Sequence, residues 1–390
     1  MRFVPVKEIR LLVDGEQAYP EMLAAIDNAQ HTVDLETYIL HDDATGRAFQ
    51  LALCRAATRG VRVRLLYDWL GSFSLPPAYV RALVAAGVAV AAFHPLIVRR
   101  PVWAINKRDH RKILIVDACI AFTGGLNLTD SQVSVSGGGK GWRDTHVRLD
   151  GPKVACEMSV LFNYAWQRAT PYYESLTRRA KLKWRMHRRL VTRMRTDDPH
   201  DALADSEGGT PVSIVGNELL RHRRRIHRAY IRAICAAQRY VIIENAYFIP
   251  NRGVRKALIR AVRRGVRVAI VVTDRSDVAI IAHAGRWTYE ELLTGGVRIF
   301  EWPETMMHSK LAVIDDAWSI IGSYNLDHCS LLHNLECVAV IADQTFAEFL
   351  RDQTLVDIAR CHEVSLETYR QRPWRKKAKE YLAYMLRRWL

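Results

Sequence analysis

Two copies of one polar pattern lie 198 residues apart in this chain of 390 residues. Each copy reads His-x-Lys-x4-Asp-x6-Gly-x-x-Asn. The first comprises His110, Lys112, Asp117, Gly124 and Asn127, and the second comprises His308, Lys310, Asp315, Gly322 and Asn325. In a β-strand the side chains at i and i+2 share a face, so each His and its Lys should project together. Agreement at five fixed positions has a chance on the order of 10⁻⁵ per chain, so the repetition indicates function.

The side chains of the two copies suit the cleavage of a phosphodiester. A neutral imidazole can attack phosphorus, while a second, protonated imidazole gives its proton to the departing alkoxide. Histidine fits both roles because its unperturbed pKa is about 6.5. The two lysine ammonium groups and the amides of Asn127 and Asn325 can stabilise the phosphate oxygens. The pattern therefore predicts that both copies meet at one phosphate-binding site.

A nucleophilic histidine also needs an acceptor for its other ring nitrogen. Asp144 and Glu336 each open an apolar strand pattern about thirty residues after the histidine of their own half. We expect each to orient that histidine, and a structural salt bridge is the alternative. Asp117 and Asp315 complete the motif, although their position at the end of an apolar run favours holding a turn over general-base catalysis.

The segments around the motif are repeated as well. The paired stretches are Ala25–Leu40 with Ala233–Pro250, Arg59–Asp68 with Arg264–Asp274, and Leu83–Phe93 with Leu292–Trp302. Helical and strand patterns alternate in each half, which predicts an α/β fold. We expect a first lobe at residues 1–170, a basic segment and linker at 171–209, a second lobe at 210–365 and a basic amphipathic tail at 366–390.

Composition limits the partners and the compartment. The formal net charge of +16 predicts a polyanionic partner, either nucleic acid or an anionic membrane surface. The seven cysteines include no Cys-x-x-Cys pair, which argues against a disulfide framework or a zinc site and favours a reducing compartment. The N-terminal residues show no signal-peptide pattern, and the longest apolar run, Ala82–Phe93, is too short to span a bilayer.

Two basic stretches carry interleaved apolar side chains. Arg178–Arg195 contains nine Lys or Arg residues and no acid, and the tail WRKKAKEYLAYMLRRWL closes the chain. A basic amphipathic helix suits an anionic membrane surface better than a nucleic-acid groove, and each Lys or Arg near such a surface contributes about 1 kcal/mol. The alternatives are a solvated helix face for the first stretch and a helix that caps the second lobe for the tail.

The His-x-Lys-x4-Asp pattern, its duplication and the Asn-Leu-Glu sequence that ends at Glu336 resemble the phospholipase D superfamily. More narrowly, GGLNLTD, WRDTHVRLDGP and GSYNLDHCSLLHNLE are similar to bacterial cardiolipin synthases of the shorter type without N-terminal membrane spans. The resemblance covers most of the chain. It implies two tandem lobes, each a mixed sheet flanked by helices, related by a pseudo-two-fold axis with the active site at their interface. It also implies no metal and no cofactor, catalytic roles for His110, Lys112, Asp117, His308, Lys310 and Asp315, and phosphate binding by Asn127 and Asn325.

The same resemblance implies transfer of a phosphatidyl group from phosphatidylglycerol to an alcohol, typically a second phosphatidylglycerol, through a phosphohistidine. The partners would be anionic phospholipids, with the protein bound peripherally to the cytoplasmic side of the inner membrane. His110 is favoured as the nucleophile and His308 as the acid. The alternative is a phosphodiesterase or nuclease of the same superfamily whose charge serves DNA or RNA. A catalytically inactive lipid-binding scaffold is the non-enzymatic alternative.

Two positions depart from the pattern of the synthases that the chain resembles. Gly125 stands where many of them have Ser, which is expected to remove one hydroxyl donor to the phosphate. Asp327-His328-Cys329-Ser330 stands where many have Asp-x-Arg-Ser, which removes an arginine. We expect both departures to bear on the acceptor alcohol and the head group rather than on the core chemistry.

Overall fold

The computed structural model describes residues 1–95, 107–171, 208–217 and 223–389. The basic stretch Arg178–Arg195 and most of the expected linker lie outside these residues. Within them the chain forms two lobes, each built on one mixed sheet with helices packed against it. The α/β fold in two tandem lobes, predicted from the repeat, is confirmed.

The first half supplies nine strands. They are β1 (Val4–Val6), β2 (Glu8–Val13), β3 (Thr32–Thr37), β4 (Arg62–Asp68), β5 (Ala89–Phe93), β6 (Ile113–Val116), β7 (Ile120–Gly124), β8 (Thr145–Asp150) and β9 (Thr170–Pro171). All but β1 form the first lobe's sheet, in the order β2-β8-β7-β6-β3-β4-β5-β9. β3, β4 and β5 run parallel, and the other neighbours pair antiparallel.

The second half repeats this plan. Its strands are β10 (Thr210–Asn217), β11 (Tyr240–Asn245), β12 (Arg267–Thr273), β13 (Arg298–Trp302), β14 (Lys310–Ile314), β15 (Trp318–Gly322), β16 (Glu336–Ile341) and β17 (His362–Glu363). They form the second lobe's sheet in the order β1-β10-β16-β15-β14-β11-β12-β13-β17. The hairpin β14–β15 thus takes the place that β6–β7 has in the first sheet, so both motif strands are central in their sheets.

Helices cover the sheets. In the first half they are α1 (Asp14–Asp27), α2 (Ala44–Thr58), α3 (Pro77–Ala85) and α4 (Pro152–Trp166). In the second half they are α5 (Arg225–Ala236), α6 (Arg252–Arg263), α7 (Ala279–Arg286), α8 (Tyr289–Thr294), α9 (His328–Leu332), α10 (Gln344–Arg360), α11 (Leu366–Arg370) and α12 (Trp374–Met385). In the part of the chain that the structure describes, no helix is both long and apolar enough to cross a membrane.

The core lies in three layers. Apolar residues of α1, α2 and α3 pack on the outer face of the first sheet, and those of α5, α6 and α8 pack on the outer face of the second. Between the sheets lies one shared inner core, to which α4 contributes Phe162 and Trp166 and α10 contributes Phe346 and Leu350. This inner core brings the two motif hairpins to the same junction.

One edge strand crosses between the lobes. Residues 4–6, which the expected boundaries assign to the first lobe, pair antiparallel with β10 of the second sheet, with Val4 opposite Val212. The chain then enters β2, which pairs with β8 of the first sheet. The N-terminal residues therefore belong to both sheets, because an exposed edge of the second sheet offers unpaired backbone groups that β1 can satisfy.

Candidate active site

The two motif histidines lie where the lobes meet. His110 lies three residues before β6 and His308 lies two residues before β14. The exposed fraction of each residue is small, 6% for His110 and 4% for His308. The backbone N–H of His110 donates to the carbonyl of Leu335 at 3.0 Å, and that of His308 donates to the carbonyl of Arg143 at 2.7 Å. Each histidine is therefore bonded through its backbone to the other lobe, and the two copies come together.

Each carboxylate that was expected to orient a histidine contacts the histidine of the other lobe. His110 Nδ1 lies 3.2 Å from Glu336 Oε2, and His308 Nδ1 lies 2.6 Å from Asp144 Oδ2. The expectation that each carboxylate orients the histidine of its own half is wrong. The physical reason is the shared inner core, which turns the start of β8 toward the second lobe and the start of β16 toward the first.

The two carboxylates differ in how their charge is used. Glu336 also accepts hydrogen bonds from Ser323 Oγ, from Ser330 Oγ at 2.7 Å and from Asn334 Nδ2 at 3.4 Å. Besides His308, Asp144 accepts from the Thr145 N–H at 2.8 Å. The negative charge of Glu336 is shared among several donors, whereas that of Asp144 acts mainly on His308.

Burial acts against ionisation of both carboxyls, and the histidines oppose it. Although desolvation would raise their pKa values, the adjacent His308 holds the pKa of Asp144 below its usual range, and His110 does the same for Glu336. Both carboxylates are therefore ionised near neutral pH and can accept a hydrogen bond from the Nδ1–H of the adjacent imidazole.

Gly125 occupies the position that corresponds to Ser323. The Ser323 hydroxyl donates to Glu336 and accepts from the Cys337 N–H at 3.1 Å, so it supports a carboxylate rather than a phosphate. The expectation that Gly125 removes a phosphate donor is therefore wrong. A Cβ built on Gly125 would lie 2.0 Å from Asp144 Oδ1, so the glycine makes room for the shorter carboxylate of this lobe.

Both motif lysines are buried against their own histidines. Lys112 Nζ donates to the carbonyl of His110 at 2.7 Å, and Lys310 Nζ donates to the carbonyl of His308. Burial lowers the pKa of Lys112 to about 7 and that of Lys310 to about 8. Because the buried ammonium groups lack solvation, an anion placed between them would be bound strongly and would restore their ordinary basicity.

The same environment keeps both imidazoles neutral in the free site. Burial and the Lys112 ammonium lower the pKa of His110, and burial and Lys310 lower the pKa of His308 to about 4. With Nδ1–H donated to a carboxylate, the Nε2 atom of each ring keeps its lone pair. Each ring is ready to act as nucleophile or base, and it becomes an acid only after an anion offsets the lysine charges.

The motif asparagines present amide donors beside the histidines. Asn127 Oδ1 accepts from the Ile39 N–H at 3.2 Å, and Asn325 Oδ1 accepts from the Tyr247 N–H at 3.4 Å. The Nδ2 of Asn127 is buried and has no partner among the described residues. These contacts orient the amides so that Nδ2 can donate to an oxyanion. Across those same residues, no three His, Cys, Asp or Glu side chains are grouped to hold a metal ion.

Asp117 and Asp315 lie at the far ends of the motif strands. Both have a left-handed φ, 50° for Asp117 and 56° for Asp315. The carboxylate of Asp117 accepts the N–H groups of His31 and Thr32, both at 2.7 Å, and Asp315 accepts the corresponding groups before β11. At about 3.3 Å per strand residue, Asp117 lies about 16 Å from Lys112. The grouping of these aspartates with the catalytic residues needs correction, because this position fits holding the turn and not contact with the reacting atoms.

Three aromatic rings from residues outside the repeated motif surround the histidines. The Tyr38 ring lies 4.8 Å from the His110 ring, and the rings of Trp142 and Tyr247 lie 5.5 and 6.5 Å from that of His308, centroid to centroid. Tyr38 directly follows β3 and Tyr247 lies two residues after β11. Tyr38 and Tyr247 could have been identified from the sequence by their position after strands that neighbour the motif strands. These rings exclude water from the histidines.

Comparisons with known proteins agree with this architecture. The protein family described as "Cardiolipin synthase, PLD-like domain" matches residues 22–166 and 230–354. Cardiolipin synthase B of Escherichia coli strain K12 is 36% identical over 384 residues, which is 97% of this chain and 87% of that protein. Cardiolipin synthase A of Pseudomonas putida is 32% identical over 367 residues, which is 93% of this chain and 70% of that protein.

Solved structures share the fold. A phosphatidylserine synthase from Haemophilus influenzae matches with a TM-score of 0.77 and 14% identity, covering 100% of this chain and 97% of that one. A polyphosphate kinase from Porphyromonas gingivalis matches with a TM-score of 0.55 and 12% identity, covering 88% of this chain and 49% of that one. At these identities the likeness shows a common two-lobe architecture.

Proposed function

Because the chain belongs to the cardiolipin synthase family of phospholipase D-like proteins and is a phospholipid phosphatidyltransferase, we propose that its donor is phosphatidylglycerol. The acceptor is the hydroxyl of a second phosphatidylglycerol, so the reaction forms cardiolipin and releases glycerol. The observation that carries the proposal is that each histidine contacts a carboxylate of the opposite lobe at the lobe junction. Two complete His-Lys pairs supply a nucleophile and an acid together, which an alkoxide leaving group requires.

The first half-reaction forms a phosphohistidine. The phosphodiester anion binds between Lys112 and Lys310 and accepts hydrogen bonds from the Asn127 and Asn325 amides. Its charge offsets that of the lysines, so His308 takes up a proton. His110 Nε2 then forms a bond to phosphorus while the bond from phosphorus to the glycerol oxygen breaks, and His308 gives its proton to that oxygen.

The second half-reaction reverses these roles. The hydroxyl of the acceptor gives its proton to His308, which is now neutral, and its oxygen attacks phosphorus. The nitrogen–phosphorus bond breaks, so His110 is neutral again and His308 is protonated. Water in place of the acceptor would give hydrolysis, and the rings of Tyr38, Trp142 and Tyr247 oppose this by keeping the site dry.

The two carboxylates support His110 as the nucleophile. The 2.6 Å contact between His308 and Asp144 favours an imidazolium at His308, because the charge of Asp144 is concentrated there. His110 Nδ1 shares its contacts between Glu336 Oε2 at 3.2 Å and the carbonyl of Ser323 at 3.1 Å. This weaker pairing suits a ring that stays neutral until it attacks.

The phosphohistidine should be trapped on His110. Vesicles of labelled phosphatidylglycerol are mixed with the protein and quenched without acid, because phosphohistidine is stable to mild alkali and labile to acid. Mass spectrometry of the peptides should find the label on the His110 peptide. Label found only on the His308 peptide would reverse the assignment. Cleavage of a labelled oligonucleotide at the rate of phosphatidylglycerol turnover would contradict the proposed substrate and favour a nuclease.

The partner of the molecule is proposed to be an anionic membrane surface, with the protein bound peripherally on the cytoplasmic side of the inner membrane. β4 and β12 end at the same edge of their sheets as β3 and β11, whose ends carry the site. The segments that follow β4 and β12 expose Phe73 (74%) and Ile280 (37%). Exposed apolar side chains at the edge that holds the site support contact with lipid there.

The tail adds to the same surface. α12 packs on α7 and buries Ala383, so it caps the second lobe. Its outer side exposes Leu382 (65%) and Met385 (55%), and Trp389 follows (70%). Arg387 and Arg388 stand beside these residues. The structural alternative for the tail and its proposed membrane contact are therefore compatible, since they use different faces of one helix.

Removing exposed apolar side chains from this edge should weaken vesicle binding. We expect the double variant Leu382→Ser with Met385→Ser to bind anionic vesicles at least about tenfold more weakly, since burying each side chain contributes about 1.5–3 kcal/mol. Turnover of a short-chain, monomeric phosphatidylglycerol should be unchanged. Sedimentation with vesicles measures the binding. The control is Leu51→Ser with Val160→Ser, which removes exposed apolar residues elsewhere. Equal loss in both variants would contradict a localised surface.

A further inference from the structure

A second cleft lies in the second lobe, away from the histidines. It has a volume of about 420 Å³ and lies between the inner face of β11, β12 and β13 and helix α10. Its wall is apolar, with Ile242, Ala269, Phe300, Leu355 and Ile358. The volume lies within the range of about 300–1,000 Å³ that is typical of small-molecule sites.

The mouth of the cleft is basic. Its four arginines are Arg239, Arg267, Arg298 and Arg351, and they are accompanied by one carboxylate, Asp316. Asp316 is shared by Arg239 at 2.7 Å and Arg351 at 2.5 Å. Arg351 also pairs with Asp352 at 2.8 Å, and Arg298 pairs with Glu363, both outside the cleft lining. Among the described residues Arg267 has no carboxylate within ion-pair distance. An apolar interior beneath an excess of guanidinium groups fits an anionic amphiphile.

The corresponding place in the first lobe is filled. There Arg64 is buried and donates two hydrogen bonds of 2.6 Å to Asp34 and one of 3.0 Å to Asn163. Its guanidinium lies 4.7 Å from the ring of Phe162 and 5.4 Å from that of Trp166. An ion pair under two aromatic rings occupies the space that is open in the second lobe.

The strand registers identify the residues that open the cleft. The pairs, first lobe to second, are Asp34 with Ile242, Arg64 with Ala269, Asn163 with Leu355 and Trp166 with Ile358. The residues at the mouth of the cleft also differ from their counterparts in the first lobe. Arg298 and Arg351 correspond to Ala89 and Ser159, and only Arg267 has a basic counterpart, Arg62. The second copy of the repeat therefore lacks the filling side chains of the first and carries additional arginines at the same place.

We propose that this cleft binds a single-chain anionic amphiphile, with its acyl chain against the apolar wall and its phosphate or carboxylate among the arginines. Lysophospholipids and fatty acids share this chemistry. The cleft opens at the first residues of β12 and β13, whereas the histidines lie beyond the last residues of the neighbouring strands. At about 3.3 Å per residue the two places are about 20 Å apart, so this site is separate from the proposed transfer reaction.

Binding of lysophosphatidylglycerol with a fluorophore on its acyl chain tests the proposal. The full chain is titrated below the concentration at which the probe forms micelles. Arg267→Glu should weaken binding about tenfold, as expected for the loss of one charge-assisted hydrogen bond. Arg62→Glu, its counterpart in the first lobe, should leave binding unchanged. Ile358→Trp and Leu355→Trp should fill the cleft and abolish binding. Leu355 is half exposed, so its variant should fold even if that of Ile358 does not.

Four results would overturn the proposal. Binding retained in both tryptophan variants would show that the chain lies elsewhere. Equal loss in Arg62→Glu would reduce the effect to overall charge. Competition by glycerol phosphate as strong as that by unlabelled lysophosphatidylglycerol would indicate an anion site only. Dissociation of a dimer by Leu355→Trp, seen by analytical ultracentrifugation, would make the cleft an interface between copies.

Competition by palmitate supports the proposal and indicates that a carboxylate is accepted as well as a phosphate. All the variants should retain turnover of short-chain phosphatidylglycerol. A protein that binds the probe but makes no cardiolipin would refute the proposed function and leave the cleft standing, so the two proposals fail separately.

Discussion

Alanine at His110 or at His308 is expected to reduce cardiolipin formation by at least about 10³-fold in either case, because the nucleophile and the acid are separate groups that act as a unit. The loss should be as large for one histidine as for the other. Each is buried and bonded to a carboxylate of the opposite lobe, so neither can replace its partner. The measurement is the initial rate of cardiolipin formation from phosphatidylglycerol vesicles.

Two controls separate chemistry from folding. His31→Ala removes an exposed histidine outside the motif and should keep full activity. Each alanine variant also leaves a buried carboxylate without its imidazole, which lowers stability. Thermal unfolding should therefore be recorded, and His110→Gln and His308→Gln serve as variants that keep an amide near the carboxylate. More than a few per cent of activity in any folded variant of His110 or His308 would contradict a site shared by both lobes.

Methionine at Lys112 or Lys310 should lower kcat by about 10²–10³-fold with little effect on vesicle binding. Methionine keeps most of the buried side-chain volume and removes the charge. Each lysine lies beneath its own histidine, and its charge reaches the other histidine as well. Rates and vesicle sedimentation are measured together. A variant that lost sedimentation and kept its rate on monomeric lipid would place that lysine at the membrane instead.

The pH dependence of the unmodified enzyme gives a second measure of the same lysines. Burial lowers the pKa of Lys112 to about 7 and that of Lys310 to about 8, and only the protonated forms stabilise the phosphate. In the free enzyme kcat/KM should therefore fall as the pH rises through this window. The bound phosphodiester raises both pKa values, so kcat should fall only at higher pH. A kcat/KM that stays constant up to pH 10 would contradict a need for charged lysines.

Much of the site could be predicted from the sequence because its chemistry is local. The spacing of His110 and Lys112 keeps the two residues together at the start of the hairpin β6–β7, and Asp117 and Asp315 lie in the turns that follow apolar runs, as their position favoured. The pairing of the carboxylates could not be predicted. It depends on how two sheets pack across a shared inner core, and spacing within one half of the chain carries no information about that packing.

The remaining errors have the same origin. The family resemblance implies that a serine in place of Gly125 would donate to the phosphate, yet the hydroxyl of Ser323, at the corresponding position of the second lobe, donates to Glu336. That contact needs the start of β16, thirteen residues later, to fold back beside it. The sequence also does not predict that the space beside α4 is filled while the cleft beside α10 is open. Arg64 and Ala269 can be recognised as equivalent positions only from the strand registers.

The short first strand has a consequence for the order in which the molecule is assembled. β1 is synthesised before its partner in β10, which follows 208 residues later along the chain, as the pairing of Val4 with Val212 requires. Closing so long a loop costs entropy that local contacts do not return, so this pairing forms late. Until then β1 lacks its strand partner. When β1 pairs with β10, its backbone hydrogen bonds join the second sheet to the chain that leads directly into β2 of the first sheet.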